Sequence, residues 1–146
     1  MTGVHLGVGV LALALNGIAG LYGAWRWWRV QPSAWFWRLL RAGQAVVIVQ
    51  VVLGGVLVLL GHKPSGLHVL YGVLPLLVSV IAEQLRIGSA QMVLQSRGFE
   101  SSEAVGRLPG DEQRVVVLSI VQREIGVMAL AAIVNVVLLA RAAGTA

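Results

Sequence analysis

The sequence predicts an all-α integral membrane protein, an antiparallel four-helix bundle that occupies residues 1–146 as a single four-span domain. Three observations lead there. Of the 146 residues, 58% are hydrophobic and only 12% charged, about half the charged share of a soluble domain. A chain of this length cannot hide so much apolar surface in one aqueous core, so the surplus faces lipid. The apolar residues gather into four stretches of about 20, the length that crosses the hydrocarbon core. The arginines, finally, fall mainly in two of the three connections.

The first span runs over about 3–24. It lacks a basic leader and is too long for the apolar region of a signal peptide, so it is read as a span. The second covers about 39–61, the third 66–85 and the fourth 121–140. Arg26, Arg29, Arg38 and Arg41 lie between spans one and two; Arg86, Arg97, Arg107 and Arg114 lie between three and four. The other side carries only Lys63 and Arg141. Short loops retain positive charge in the cytoplasm, which predicts both termini on the outer side of a cell inner or plasma membrane. The net charge of +5 therefore points to lipid headgroups and topology, and to no nucleic acid.

All five tryptophans, Trp25, Trp27, Trp28, Trp35 and Trp37, fall in the first cytoplasmic connection. Indole rings favour the headgroup level, where an apolar body and a polar N–H are both satisfied. They predict a membrane anchor rather than an aromatic binding box. Residues 89–114 form the one long polar stretch, broken by Gly98, Gly106, Pro109 and Gly110, and predict a cytoplasmic loop. From Glu112 to Ile125 the mixed polarity suits an interfacial extension of span four.

Membrane helices associate through small and polar side chains. At helical spacing, such faces comprise His5, Gly9, Ala12, Asn16, Gly20 and Gly23 on span one, and Gly43, Gln50, Gly54 and Gly61 on span two. Span three offers His68, Gly72, Pro75, Ser79 and Glu83; span four offers Glu124, Met128, Ala131 and Asn135. Spans one and three share a pattern, a histidine with glycine four residues on and a small polar residue at eleven. Each histidine follows a potential N-cap, Thr2 or Ser65, by three residues. In an up-down-up-down bundle these spans lie diagonally, which sets His5 and His68 at one depth, facing each other.

Two neutral imidazoles on opposing helices suit the axial positions of a haem iron. Gly9 and Gly72 would leave room for a flat macrocycle, and Asn16, Gln50 and Ser79, set deeper, would orient it or hold helices together. The candidate cofactor is haem b. With His62 added, His5 and His68 form a second candidate, an outer site for copper or zinc. The absence of cysteine excludes disulfides, thiol redox chemistry, cysteine-held iron–sulfur clusters and covalently attached haem. No serine–histidine–acid set, phosphate loop or zinc motif is present, so the chain reads as a redox or binding protein rather than an enzyme. Glu83 and Glu124 sit near the cytoplasmic ends, where Arg123 would pair with either. No ionisable residue lies at mid-depth in spans one to three, which disfavours a transporter or channel.

The segment Gln50-Val-Val-Leu-Gly-Gly-Val-Leu-Val-Leu-Leu-Gly, then Leu67-His68-Val-Leu-Tyr-Gly, resembles a hairpin in one half of haem A synthase, and more distantly other b-type membrane cytochromes. The resemblance spans roughly 35 residues and implies a four-helix bundle with His68 as a haem ligand. In that family, histidines from alternate helices flank the haem. Here the bundle is a single half and no glutamate adjoins a histidine within a span, so the synthase's activity does not transfer. The expectation is a small b-type haem protein for electron transfer or haem handling, with quinone as one partner. The alternatives are a cofactor-free accessory subunit of a larger membrane complex and the copper or zinc protein; a second copy of the chain, as a homo-oligomer, is a further candidate partner.

Overall fold

The computed structural model describes residues 2–146, and the four expected spans are helices: α1 (Thr2–Trp28), α2 (Ala34–Leu59), α3 (Gly66–Ser96) and α5 (Gly110–Ala143), with a short α4 (Ser102–Gly106) before the last. All four long helices are apolar enough and long enough to cross a bilayer, and no strand interrupts them among the described residues. The chain is a multi-pass, all-α membrane bundle. Its two ends are best named by their contents. The histidine end carries His5, His68 and the α2–α3 turn; the tryptophan end carries the α1–α2 turn and α4.

The helices form a ring in chain order. α1 packs against α2 and α5, α3 packs against α5, and α2 barely touches α3. Spans one and three are thus diagonal, as the sequence predicts. The α1–α2 seam follows one register from end to end. His5 meets Gly54, Gly9 meets Gln50, Asn16 meets Gly43, and Gly23 meets Phe36; between them Ala12 packs with Val47 and Ala19 with Leu40. Steps of three and four alternate along α1 and, in reverse, along α2, and a large side chain always faces a small one. Such spacing gives the slightly crossed antiparallel packing of helical bundles.

The α1–α5 seam is closer still. A Cβ on Gly20 would lie 2.8 Å from Ile133 Cγ1 and 3.2 Å from the Ile133 backbone nitrogen. One on Gly126 would lie 2.8 Å from the Trp27 ring. The backbones approach because those side chains are missing. Met128, Ala129, Ala132 and Ile125 of α5 then fill the centre with Ala19, Phe36, Leu40 and Ala82.

Three helix ends share one termination. The N–H two residues beyond the last full turn donates back five residues, from Gln31 to Arg26, His62 to Leu57 and Phe99 to Leu94. The residue before each donor takes positive φ. Glycine does so at Gly61 (φ 92°) and Gly98 (φ 75°), but α1 uses Val30 (φ 51°), a β-branched residue in a left-handed conformation. Gly61, expected on the face of span two, is therefore a turn residue beyond Leu59.

The expected loop over 89–114 is mostly helix. α3 continues to Ser96 and α5 begins at Gly110, leaving residues 97–109 as the link. With 31 and 34 residues, both helices exceed the roughly 20 needed to span. Their extensions hold a separate small core of Val93, Val105 and Val116 under Leu94, Phe99, Leu108 and Ile120. The mixed polarity of that stretch is the amphipathic pattern of helices packed on one side and wet on the other. The expected extension from Glu112 is part of unbroken α5.

Two substitutions follow. Gly20→Leu forces α1 and α5 apart and lowers the thermal midpoint in detergent, at a cost of about 1–3 kcal/mol for overpacking, whereas Gly7→Leu, with nothing within 4 Å, leaves it unchanged. Val30→Gly raises the midpoint, since a side chain in the left-handed region costs about 1–2 kcal/mol; circular dichroism melts read both.

Candidate histidine site between diagonal helices

The site begins with capping. Ser65 starts α3 in an extended conformation, and its Oγ accepts the His68 N–H at 3.1 Å. The same hydroxyl donates to the Thr145 carbonyl at 2.7 Å, which ties the start of α3 to the tail of α5. One turn into α3, the His68 Nδ1–H donates to the Ala142 carbonyl at 2.9 Å. That carbonyl lies in the final turn of α5 and also accepts from the Thr145 N–H at 3.1 Å and the Thr145 hydroxyl at 3.0 Å. Arg141 adds a contact over the Tyr71 ring, 5.6 Å from its centre.

His5 reaches the site from the diagonal helix. Its ring centre lies 6.1 Å from that of His68, the planes tilted by 56°. On its other side His5 Nε2 meets the Gln50 amide at 3.2 Å. Gly54 faces His5 Cε1, where a Cβ would sit at 3.4 Å, so a larger residue there would crowd the ring. Two buried polar atoms here have no hydrogen-bond partner, His5 Nδ1 and Gln50 Oε1.

Of the residues singled out in the sequence, the structure brings together His5, His68 and Gln50. The two glycines differ. The space beside Gly9 is filled by Gln50, whose amide nitrogen would stand 2.9 Å from an added Cβ, while nothing lies within 4 Å of one on Gly72. Asn16 is apart: its Nδ2 donates to the Ala12 carbonyl at 2.8 Å and it packs on Gly43. Eleven residues separate it from His5, about 16 Å along a helix. Ser79 is equally remote. It accepts from Asn135 Nδ2 at 3.0 Å and donates to the Pro75 carbonyl at 2.8 Å, a buried polar contact between α3 and α5. His62 is exposed in the α2–α3 turn. Among the described residues no three histidine, cysteine or acidic side chains converge as a metal cluster.

Sequence reasoning missed Gly54 as a wall of the site, and the Ala142 carbonyl altogether. Glycine facing histidine in the α1–α2 register is a readable signal for the first. A backbone carbonyl leaves no mark in sequence, so the second had none.

The tryptophan end has its own polar cluster. Glu83 bonds Arg41 of α2, accepts from Gln44 Nε2 at 3.2 Å, and pairs with Arg86 Nε at 2.9 Å. This cluster spans the thin α2–α3 edge. The expected partner, Arg123, instead contacts Met92 Sδ at 3.6 Å. The Glu83 carboxylate is taken by Arg41 and Arg86 instead. Arg86 also lies over the Trp37 ring, Arg38 over Trp35, and Arg26 and Arg29 over Trp25, all within 5.8 Å of the ring centres. Trp28 is 78% and Trp35 64% exposed, the disposition of a belt facing headgroups.

Compared with protein-family models, curated proteins and solved structures, the chain matches none.

The proximity of the pair has a direct check. The protein has no cysteine, so His5→Cys with His68→Cys introduces its only two thiols. A dibromobimane probe, fluorescent once both its ends have reacted, lights up in the double variant and stays dark in either single one. A dark double variant would show the rings to be apart.

Proposed function

We propose that the protein is a small b-type haem protein of the membrane, with His5 and His68 as axial ligands and an electron-transfer or haem-handling role. One observation carries the reading: the 6.1 Å spacing of the two ring centres. Imidazole nitrogens bind transition metals at about 2.0–2.1 Å, so two imidazoles that held one ion between them would have ring centres about 6.4 Å apart, slightly more than observed. The His68 bond to the Ala142 carbonyl supports it, because ligating histidines usually donate their other N–H to a carbonyl or carboxylate. The open space at Gly72 is where a macrocycle held by the pair would find room. The filled space at Gly9 recasts that glycine as the seat of Gln50.

Haem would supply one-electron chemistry; the chain's own part is to present two lone pairs, exclude water and hold His68 in one tautomer. The arginine distribution supports the histidine end as the outer face, with both termini there and the tryptophan belt at the cytoplasmic surface. A quinone or an outer redox protein is then the natural exchange partner.

The test is a visible spectrum of protein purified after haem supply. A low-spin Soret band is expected, with loss or conversion to high spin in His5→Ala and in His68→Ala. Absence of the band from the parent protein, or its survival unaltered in both variants, ends the haem reading.

A further inference from the structure

We propose that the α1–α2 turn holds an anionic phospholipid, whose phosphate sits on Arg26 and Arg29 beside the exposed Trp25 ring. The first 82 residues contain no aspartate or glutamate. Helices α1 and α2 therefore bring Arg26, Arg29, Arg38 and Arg41 to the tryptophan end with no acid of their own. Arg41 finds one on α3. The two ion pairs among the described residues both end on Glu83, which Arg41 shares with Arg86. The later acids, from Glu100 to Glu124, pair with no arginine.

Arg26 and Arg29 stand three apart on one helix, where like charges are neighbours and repel. Arg26 gives one N–H to the Pro32 carbonyl at 2.7 Å, a neutral acceptor, and its Nε is buried without a partner. Arg29 enters no ion pair. Both guanidinium groups lie against one indole, 5.5 Å and 5.8 Å from the centre of the Trp25 ring. The ring face attracts cations but carries no net charge to cancel theirs. Two positive charges are thus gathered at one place, each with a fan of N–H donors, and nothing in the chain neutralises them. Arg38 is a single charge over Trp35, and the α2–α3 edge has Glu83.

The counter-charge comes from outside. Indole rings mark the headgroup level, where the acceptor at hand is phosphate. Guanidinium binds phosphate through paired N–H bonds as well as charge, and basic clusters just beyond a spanning helix attract anionic lipid. A zwitterionic headgroup brings its own cation, which the arginine pair repels; an anionic one does not. The site is independent of the histidines at the far end and of any cofactor there.

All five tryptophans lie at the tryptophan end, so their fluorescence reports which lipid is in contact. The full chain is reconstituted in phosphatidylcholine vesicles containing a minor fraction of lipid brominated on its acyl chains, which quenches indole on contact. The brominated lipid is either phosphatidylglycerol or phosphatidylcholine. Phosphatidylglycerol is expected to quench at the lower mole fraction, and Arg29→Gln to cut that preference about fivefold. Arg29 enters no ion pair, and unchanged circular dichroism separates loss of lipid from loss of fold. Arg26→Lys with Arg29→Lys keeps both charges but loses the paired donors, and is also expected to weaken the preference. Arg141→Gln removes an equal charge over Tyr71 at the histidine end and is expected to change nothing. A parent protein without preference overturns the proposal. So does a preference untouched by the lysine pair, or lost equally in Arg141→Gln, since either outcome marks diffuse attraction. Soluble glycerol phosphate at the same bulk concentration should leave the quenching in place; if it relieves it, the turn binds free phosphate and the lipid site is refuted.

Discussion

How near two helices can come in lipid depends on what their facing residues lack. Here α1 carries Gly20 against Ile133 on one side and Gly9, Asn16 and Gly23 against Gln50, Gly43 and Phe36 on the other. Without an aqueous drive toward association, the attraction between helices is the sum of short-range contacts, each weak and lost over a fraction of an ångström. The complementary sizes along both seams bring many such contacts into range at once. α1 is thereby locked in rotation and depth against α2 and α5 together. The position of His5 follows from that lock, since it continues the same row of side chains that Gly9, Ala12 and Asn16 occupy.

The other half of the site depends on α5. Its packing with α3 runs through the Asn135–Ser79 contact and Ala82 and ends at the Ala142 and Thr145 carbonyls, which hold His68 and Ser65. His5 and His68 are on helices that scarcely touch; each is placed by a neighbour that both share. Hydrogen bonds within a bilayer core are individually modest, about 0.6 kcal/mol on average, so these contacts choose register and tautomer more than they add stability. The Glu83 cluster plays a comparable part for α2 and α3 at the opposite end.

Much of this was legible in sequence because lipid imposes simple rules. Four apolar runs, the order of the helices and the level placement of His5 and His68 follow from length and alternation of direction. The faces of α1 and α3 showed because glycine, asparagine and histidine stand out from valine and leucine. On α2 the partners of α1 include Phe36, Leu40 and Val47, which look like any lipid-facing residue, so only Gly43, Gln50 and Gly54 were visible. Arg123 is matched to Glu83 or Glu124 in sequence because all three lie at the expected cytoplasmic ends of spans three and four, whereas Arg41 reads only as a topological charge. The polar run at 89–114 concealed helices because, outside the bilayer, polarity on one face no longer distinguishes helix from loop. Asn16 and Ser79 shared the right face with the histidines but not the right depth.

The thin edge between α2 and α3 bears on what the folded object consists of. At one end it is closed by Arg41, Gln44, Glu83 and Arg86, at the other by the turn through Gly61 and Ser65, and the stretch between has few contacts of its own. In a bilayer, acyl chains would complete that wall. The surrounding bilayer is therefore a building material of this bundle as well as its solvent. The length and saturation of the acyl chains become structural variables, and a detergent micelle replaces one of the four walls with a softer one.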